Sequence, residues 1–348
     1  MKMGQKRKNI VFFVRMAAFL VIFGLLFAPL KELVCRKSLT GTWDMTNKVG
    51  GFYNEPEDEF EILFLGSSHA YAAFSPLRLW EDTGIKSYVF ATQRQPLWAT
   101  YAYLLEALKT QSPKLVVVDC RGALEPAESF YEDGVSYSFM DDIPFSLNKV
   151  RLAWVSGQTM EERAELLCNF IKYHGRWADL EDADWEFDRG ALHDPYKGYV
   201  FLPDKAEEYP CPETGGITAR APLDGKNEYW LRRIIEHCQK RQLPLLLVKT
   251  PSNLSAEEKA LVNTVAAIAG EYDVPFADFN GHYAEIGLDA SMFFDEHHMD
   301  ARGAAKFTDY FAAALERDGT SLGFSRAEGD RLWADSAAEY EEKLTSLS

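Results

Sequence analysis

Cysteine is scarce in this chain, and the few cysteines present are not paired in sequence. Five occur in 348 residues, an odd number, and none belongs to a C-x-x-C motif. They are widely spread, at Cys35, Cys120, Cys168, Cys211 and Cys238. Zinc sites and disulfide frameworks need closely patterned cysteines, so the sequence indicates neither, although one bridge is compatible with it.

Positive charge is also sparse beyond the N-terminus. The chain has 37 Lys and Arg against 53 Asp and Glu, a formal net charge of −16. An acidic protein without a Lys/Arg stripe repels nucleic-acid phosphates, so we expect no nucleic-acid partner. Internal repeats and low-complexity tracts are absent, and a hydrophobic content of 47% is enough for a full core.

The N-terminus carries a long apolar run, IVFFVRMAAFLVIFGLLFAPL at residues 10–30, which is charged only at Arg15. Its length matches the roughly 20 residues that cross a bilayer, and Arg15 is close enough to one end to snorkel. Basic residues before it favour a cytoplasmic N-terminus. We predict a cytoplasmic tail at 1–9, a single-pass membrane anchor at 10–30 and an extracellular remainder.

Two other interpretations of this run stay open. A cleaved secretory signal would also export the chain, but no small-x-small cleavage site is obvious, and Cys35 lacks the small residue that precedes a lipid-modified cysteine. A buried core helix has a similar apolar length. The membrane anchor and the cleaved signal both place the bulk of the protein outside the cytoplasm.

From residue 60 onward, short apolar runs alternate with amphipathic segments. The predicted strands are FEILFL, KSYVFAT, PKLVVVDC, LPLLLVKTP and VPFADFN, and predicted helices follow them. This alternation predicts an α/β three-layer sandwich with a mostly parallel, flavodoxin-like sheet, in which sites form at the carboxyl ends of strands. We assign 60–124 and 226–320 to this domain, 31–59 to a linker and 321–348 to a C-terminal tail.

Residues 125–225 interrupt the alternation and are rich in aromatic, acidic and turn residues. TMEERAELLCNFIKYH is the plausible helix within them. We predict an insertion that packs over the strand ends. It would be either a lid lined with Tyr and Trp, or a loop region whose aromatic residues form a satellite core of their own.

The first strand runs into Gly66, Ser67 and Ser68, and a helix is predicted to follow. A turn at this position can expose a hydroxyl beside free backbone N–H groups, which suits a nucleophile. The alternative is that one serine only caps the helix. A serine nucleophile needs a base and an acid that orients the base.

FFDEHHMDARGAAKFT supplies both groups, because Asp295 and His298 stand three residues apart in a predicted loop. His297 is the alternative base. His69, next to the nucleophile, is a candidate for lining the pocket, and a metal held by Asp295, His297, His298 and Asp300 is a further alternative. Asp119 and Asp278, at predicted strand ends, fit capping roles better than catalytic ones.

LGSSHAY together with FFDEHHMDARGAAKFT resembles the SGNH, or GDSL, hydrolases, especially their membrane-anchored bacterial branch. The resemblance covers about residues 60–122 and 228–316. It implies Ser68 as nucleophile, Asp295 as orienting acid and His298 as general base, without a cofactor.

Three positions depart from the family pattern. Ser67 stands where an Asp usually precedes the nucleophile, Ala91 stands near the glycine whose amide is the second oxyanion donor, and no Asn follows the third strand. The oxyanion would then rest on the Ser68 and Ala91 amides, with help from Gln95 or Arg121. Losing one donor costs on the order of 100- to 1000-fold in rate.

The resemblance implies an esterase or O-acyltransferase that works through an acyl-enzyme. The expected substrate is an acyl ester of a cell-envelope glycan, and water or a glycan hydroxyl is the expected acceptor. A membrane protein that transports acyl groups is a further candidate partner. A metal-dependent hydrolase, a lipase for long-chain esters and a non-catalytic glycan-binding protein are the rival classes.

Overall fold

The computed structural model describes residues 2–132, 134–205, 207–318, 322–327 and 329–347. Its centre is a five-stranded sheet in the order β2-β1-β3-β4-β5, with every pair parallel. The strands are β1 (Ile62–Gly66), β2 (Ser87–Ala91), β3 (Leu115–Asp119), β4 (Leu245–Lys249) and β5 (Phe276–Asp278). The predicted flavodoxin-like α/β fold is confirmed, since this strand order is the one that defines it.

Fifteen α-helices are present in the described residues. They are α1 (Lys2–Val34), α2 (Met45–Phe52), α3 (Ser68–Tyr71), α4 (Pro76–Thr83), α5 (Leu97–Ala107), α6 (Val135–Met140), α7 (Leu147–Ser156), α8 (Met160–Leu167), α9 (Asn169–Tyr173), α10 (Asp182–Trp185), α11 (Gly225–Lys240), α12 (Ala256–Glu271), α13 (Tyr283–Ile286), α14 (Ala301–Asp318) and α15 (Arg331–Thr345). Short 3₁₀ turns separate several of them.

The sheet is buried on both faces, which explains why its strands are continuous apolar runs. Successive side chains of a strand point to opposite faces. In β1, Leu63 and Leu65 join the core beneath α5, α11 and α12, whereas Ile62 and Phe64 join the core beneath α4 and α14. Two hydrophobic layers on one sheet make the three-layer sandwich.

Two segments outside the predicted domain boundaries also pack on it. Within 31–59, predicted as a linker, α2 buries Phe52, whose ring stacks on Phe90 of β2 at 4.1 Å. Within 321–348, predicted as a tail, α15 buries Trp333 and Tyr340 and packs on α4. Both segments therefore contribute helices to the core of the α/β domain.

The insertion joins the main core instead of forming a satellite core. Its Phe130, Phe139 and Met140 belong to the same buried cluster as Leu63 and Leu65 of the sheet. The single helix predicted over TMEERAELLCNFIKYH is wrong, because Cys168 leaves the helical conformation with φ −128° and ψ 87°. The break divides the segment into α8 and α9.

Residues 197–198 of the insertion run along the outer edge of β2. The backbone N–H of Val89 donates to the carbonyl of Lys197 at 2.9 Å. Gly198 has a positive φ of 87°, and a Cβ at this position would lie 1.9 Å from the Val89 carbonyl oxygen. Only glycine allows this close approach, so the insertion covers an edge that would otherwise be open to pairing.

Helix α1 is long and apolar enough from Lys8 to Val34 to cross a membrane, and its apolar window is not buried by the rest of the chain. Its C-terminal end contacts the domain. There it packs on α9, on α10 and on a 3₁₀ turn at His174–Ala178.

Candidate functional site

The turn after β1 presents Ser68 at the carboxyl edge of the sheet. Gly66 has a φ of 147°, and a Cβ on it would lie 3.1 Å from the Cβ of Asp119, so glycine is required here. Ser67 is extended and Ser68 begins α3. Ser68 is half-buried and thus accessible, whereas Ser67 is only 3% exposed.

Ser67 does not cap α3 through its side chain. Its hydroxyl is buried and has no hydrogen-bond partner among the residues that the structure describes. The helix-cap alternative, in which a serine oxygen accepts from an N–H of the first turn, is therefore not the conformation of Ser67. The structure leaves the Ser68 hydroxyl as the accessible one of the pair.

Asp295 and His298 form a close pair in the loop before α14. Nδ1 of His298 lies 2.9 Å from each carboxylate oxygen of Asp295. The flanking residues Phe293 and Met299 form an antiparallel bridge that holds the loop as a tight turn. The imidazole is therefore oriented by the carboxylate, in the arrangement that a general base requires.

The environment of Asp295 favours its charged form. Burial acts to raise the pKa of Asp295, but the hydrogen bond from His298 and the backbone N–H groups of His297 and His298 outweigh burial and lower this pKa to about 2. Those two N–H groups donate at 2.8 and 2.9 Å. Asp295 is thus a carboxylate that can stabilise an imidazolium.

The serine turn and the histidine loop lie side by side. The ring of His69 is 5.3 Å from the ring of His298, centroid to centroid. Nε2 of His298 is buried and has no hydrogen-bond partner among the described residues, so it is not bonded to the Ser68 hydroxyl in this conformation. Hydrogen bonds between catalytic groups are often long before substrate binds.

His297 is less suited than His298 to act as the base. Its contact with Asp295 runs through its backbone N–H, and the residue is exposed. Its ring centroid is 6.0 Å from that of His69. Partial burial of its ring beneath the neighbouring groups, followed by the charge of Arg121, lowers the pKa of His297.

The two predicted oxyanion positions differ in their surroundings. Ala91, at the end of β2, pairs in register with Gly66, which places its backbone next to the serine turn. Gln95 is 1% exposed; its Oε1 accepts from Thr92 at 3.0 Å and its Nε2 donates to Thr100 at 3.1 Å. The Gln95 amide therefore holds the loop after β2 together, which leaves one of its two hydrogens for other partners.

The remaining acidic candidates have structural contacts. Asp119 accepts hydrogen bonds from the N–H of Arg121 at 2.9 Å and from that of Thr250 at 3.0 Å. Asp278 accepts from the N–H of Asn280 at 3.1 Å. Asp300 accepts from the N–H of Gly303 at 2.9 Å and is paired with Arg302.

These contacts agree with the capping roles expected for Asp119 and Asp278, and they commit the Asp300 carboxylate to the first turn of α14. Across the described parts of the chain, no group of three or more His, Cys, Asp or Glu is arranged to hold a metal ion. The predicted metal alternative thus has no donor set there.

Sequence reasoning missed Lys249, the last residue of β4. It is fully buried, and its ammonium lies 3.4 Å from Nδ1 of His69 while donating to the carbonyl of Thr250 at 2.7 Å and to Ser252 at 3.0 Å. Burial lowers the pKa of Lys249. The sequence does carry one signal for this residue, because a lysine at the end of the apolar run LPLLLVK falls at the carboxyl end of a predicted strand.

Lys249 also contributes to the low pKa of His69. Burial first, and then the charges of Lys249 and Arg121, lower the pKa of His69 well below its usual range. His69 is thus held neutral beside His298. Arg121 is itself paired with Glu258 at the start of α12.

Tyr71 contacts the predicted nucleophile, Ser68. Burial raises the pKa of Tyr71, and its hydroxyl interacts with Gln93 and with the hydroxyl of Ser68. The negative charge of Asp295 also raises the pKa of Tyr71. Tyr71 stays protonated and can donate to, or accept from, the Ser68 hydroxyl.

No family model matches the chain, and no curated protein matches it. Among solved structures it is similar to BT4096, a gut microbial diltiazem-metabolizing enzyme, with 14% identity and a TM-score of 0.28 over 76% of this chain and 49% of that chain. The chain spans about half the length of that protein. A likeness this low carries no argument about function.

Proposed function

We propose that the chain is a membrane-anchored serine hydrolase of SGNH type that acts on acyl esters as an esterase or an O-acyltransferase. The observation that carries this proposal is the Asp295–His298 pair, whose second imidazole nitrogen is buried and has no partner among the described residues, beside the helix that begins at Ser68. An oriented base next to an accessible serine hydroxyl is the arrangement that activates a nucleophile.

In the proposed first step, Nε2 of His298 takes the proton of the Ser68 hydroxyl as its oxygen attacks the ester carbonyl. The negative oxygen that forms is stabilised by the backbone N–H groups of Ser68 and Ala91. The carbon–oxygen bond of the ester then breaks, His298 gives its proton to the leaving alkoxide, and an acyl-enzyme remains. Asp295 stabilises the transient imidazolium throughout.

In the second step, His298 takes a proton from water or from a sugar hydroxyl, whose oxygen attacks the acyl-enzyme. Collapse of the second intermediate breaks the bond to Ser68, and His298 returns the proton to the Ser68 oxygen. Water gives hydrolysis and a hydroxyl gives acyl transfer. Export past α1 would place this chemistry outside the cell, which supports an O-acylated envelope glycan as the substrate.

Covalent labelling tests the nucleophile. We expect the detergent-solubilised full chain to react with a fluorophosphonate probe, the Ser68→Ala variant not to react, and the matched Ser67→Ala variant to react like the parent, because Ser67 is buried. Labelling that survives in Ser68→Ala would overturn the assignment. Absence of labelling in the parent, together with absence of ester turnover with or without a chelator, would favour a glycan-binding protein.

A further inference from the structure

The insertion exposes large apolar side chains next to the end of α1. Ile171 in α9 is 44% exposed, Trp177 in the turn His174–Ala178 is 68% exposed, and Trp185 at the end of α10 is 67% exposed. We call these three residues the aromatic rim. Its elements are the ones that contact α1, so the rim surrounds the point where α1 enters the domain.

The depth of this point follows from α1 itself. Phe170, beside Ile171, packs on Phe27 of α1 with ring centroids 5.0 Å apart. Phe27 lies within the apolar run 10–30, three residues before its end, which is roughly 5 Å along a helix axis. If this run fills the hydrocarbon core, α9 lies at the outer boundary between hydrocarbon and headgroups.

Polar contacts fix α1 to the insertion, so the rim cannot move freely away from this depth. Arg189 pairs with Glu32 at 2.7 Å, and Arg176 donates to the carbonyl of Val34 at 3.0 Å. Lys37, just after α1, pairs with the buried Asp184 at 3.0 Å. The insertion and the end of α1 therefore form one continuous structure.

A groove of about 490 Å³ lies between α1 and α10. Pro29, Leu30 and Leu33 line one side, and Trp185 and Phe187 line the other. Trp185 is thus exposed directly beside the residues of α1 that would leave the hydrocarbon core. Tryptophan is enriched at this level of membrane proteins, because its ring is apolar and its N–H finds partners among headgroups.

We propose that the aromatic rim is a second membrane contact, in which Ile171, Trp177 and Trp185 insert into the headgroup region of the outer leaflet. Together with the contacts that fix α1 to the insertion, this holds the domain against the bilayer in one orientation. The inference rests on α1 crossing a membrane and is independent of the serine chemistry.

Charge selects the lipid class. Exposed acids occupy the same segment, namely Asp179, Glu181, Asp182, Glu186 and Asp188. They repel anionic headgroups, so the contact depends on aromatic insertion, with zwitterionic headgroups preferred. Polybasic membrane anchors, by contrast, bind more strongly to anionic than to zwitterionic headgroups.

Fluorescence quenching by brominated lipid tests the proposal. The full chain is reconstituted in phosphatidylcholine vesicles whose acyl chains carry bromine near the headgroup. Eight tryptophans contribute to the signal. We expect the Trp177→Phe/Trp185→Phe variant to lose at least about half of the quenching, because interfacial tryptophans lie closest to the bromines. The matched control is Trp154→Phe, since Trp154 is 59% exposed on α7, outside α9, α10 and the turn His174–Ala178, the elements that pack on α1.

The outcomes separate the rim from the anchor and from the enzyme. If the parent chain floats with the vesicles but the rim variant and the Trp154→Phe control show the same quenching, the rim is not a membrane contact. A chain that does not float with vesicles would overturn the anchor and the rim together. Fluorophosphonate labelling of Ser68 is unaffected by either result, so failure of the rim is distinguishable from failure of the proposed function.

Discussion

Nδ1 of His298 lies 2.9 Å from both carboxylate oxygens of Asp295, and Nε2 of the same ring is buried without a hydrogen-bond partner in the described residues. A buried nitrogen without a partner carries a free-energy cost of roughly 1–3 kcal/mol. Such a cost is expected where a substrate or a rotated serine hydroxyl completes the site.

Replacement of Asp295 by Asn tests the role of this carboxylate. Asn keeps the size of the side chain but removes the charge that stabilises an imidazolium and disturbs the proton on Nδ1. We expect ester turnover to fall about 1,000- to 10,000-fold with little change in KM. The measurement is the steady-state hydrolysis of a chromogenic acetyl ester. Asp289→Asn, at an exposed position of a neighbouring turn, should retain parental activity.

The same carboxylate predicts a pH dependence of stability. Its pKa in the folded protein is about 2, below the value of about 3.9 in unfolded chains. Between these values the unfolded state binds more protons, so the contribution of Asp295 is present above pH 4 and is lost as pH falls towards 2. Thermal unfolding from pH 5 to pH 2 should show a steeper loss of Tm for the parent than for Asp295→Asn. Equal slopes would contradict the prediction.

The sheet was predictable from sequence, because strands buried on both faces are continuous apolar runs whatever surrounds them. Leu63 to Leu65 and Val116 to Val118 are examples, since both runs are fully buried. The spacing of Asp295 and His298 was similarly readable, because three residues in a tight loop suffice for contact. Contacts between residues that lie far apart in sequence could not be predicted in this way.

The elements that sequence reasoning missed depend on such neighbours. Helix α15 owes its place to the fit of Trp333 and Tyr340 in the core, which no local pattern specifies. The break at Cys168 accompanies a tertiary contact, in which the Asn169 side chain donates to the carbonyl of Asp141 at 3.2 Å. The proximity of Lys249 to His69 joins residues 180 positions apart.

Replacement of Lys249 by Met should change the titration of His69. A positive charge 3.4 Å from Nδ1 disfavours the imidazolium, so its removal raises the pKa of His69 towards its usual range. Burial still acts on the ring, so the recovery is incomplete. NMR titration of the histidine ring protons measures it, and Lys259→Met, which removes a lysine paired with Asp278 at 2.6 Å, is the control. An unchanged His69 titration would mean that Lys249 carries no charge at the site.

Two neighbouring residues test whether α15 is part of the folded domain. Trp333 is 2% exposed and its Nε1 donates to Glu59 at 3.2 Å, whereas Leu332 is 80% exposed. Trp333→Ala removes a buried aromatic ring and leaves a cavity against the rings of Phe60 and Trp80, so we expect a loss of about 3–5 kcal/mol in the free energy of unfolding. Leu332→Ala should change it by less than about 0.5 kcal/mol. Chemical denaturation of both variants in detergent measures the difference, and equal effects would mean that 331–345 do not pack on the core in solution.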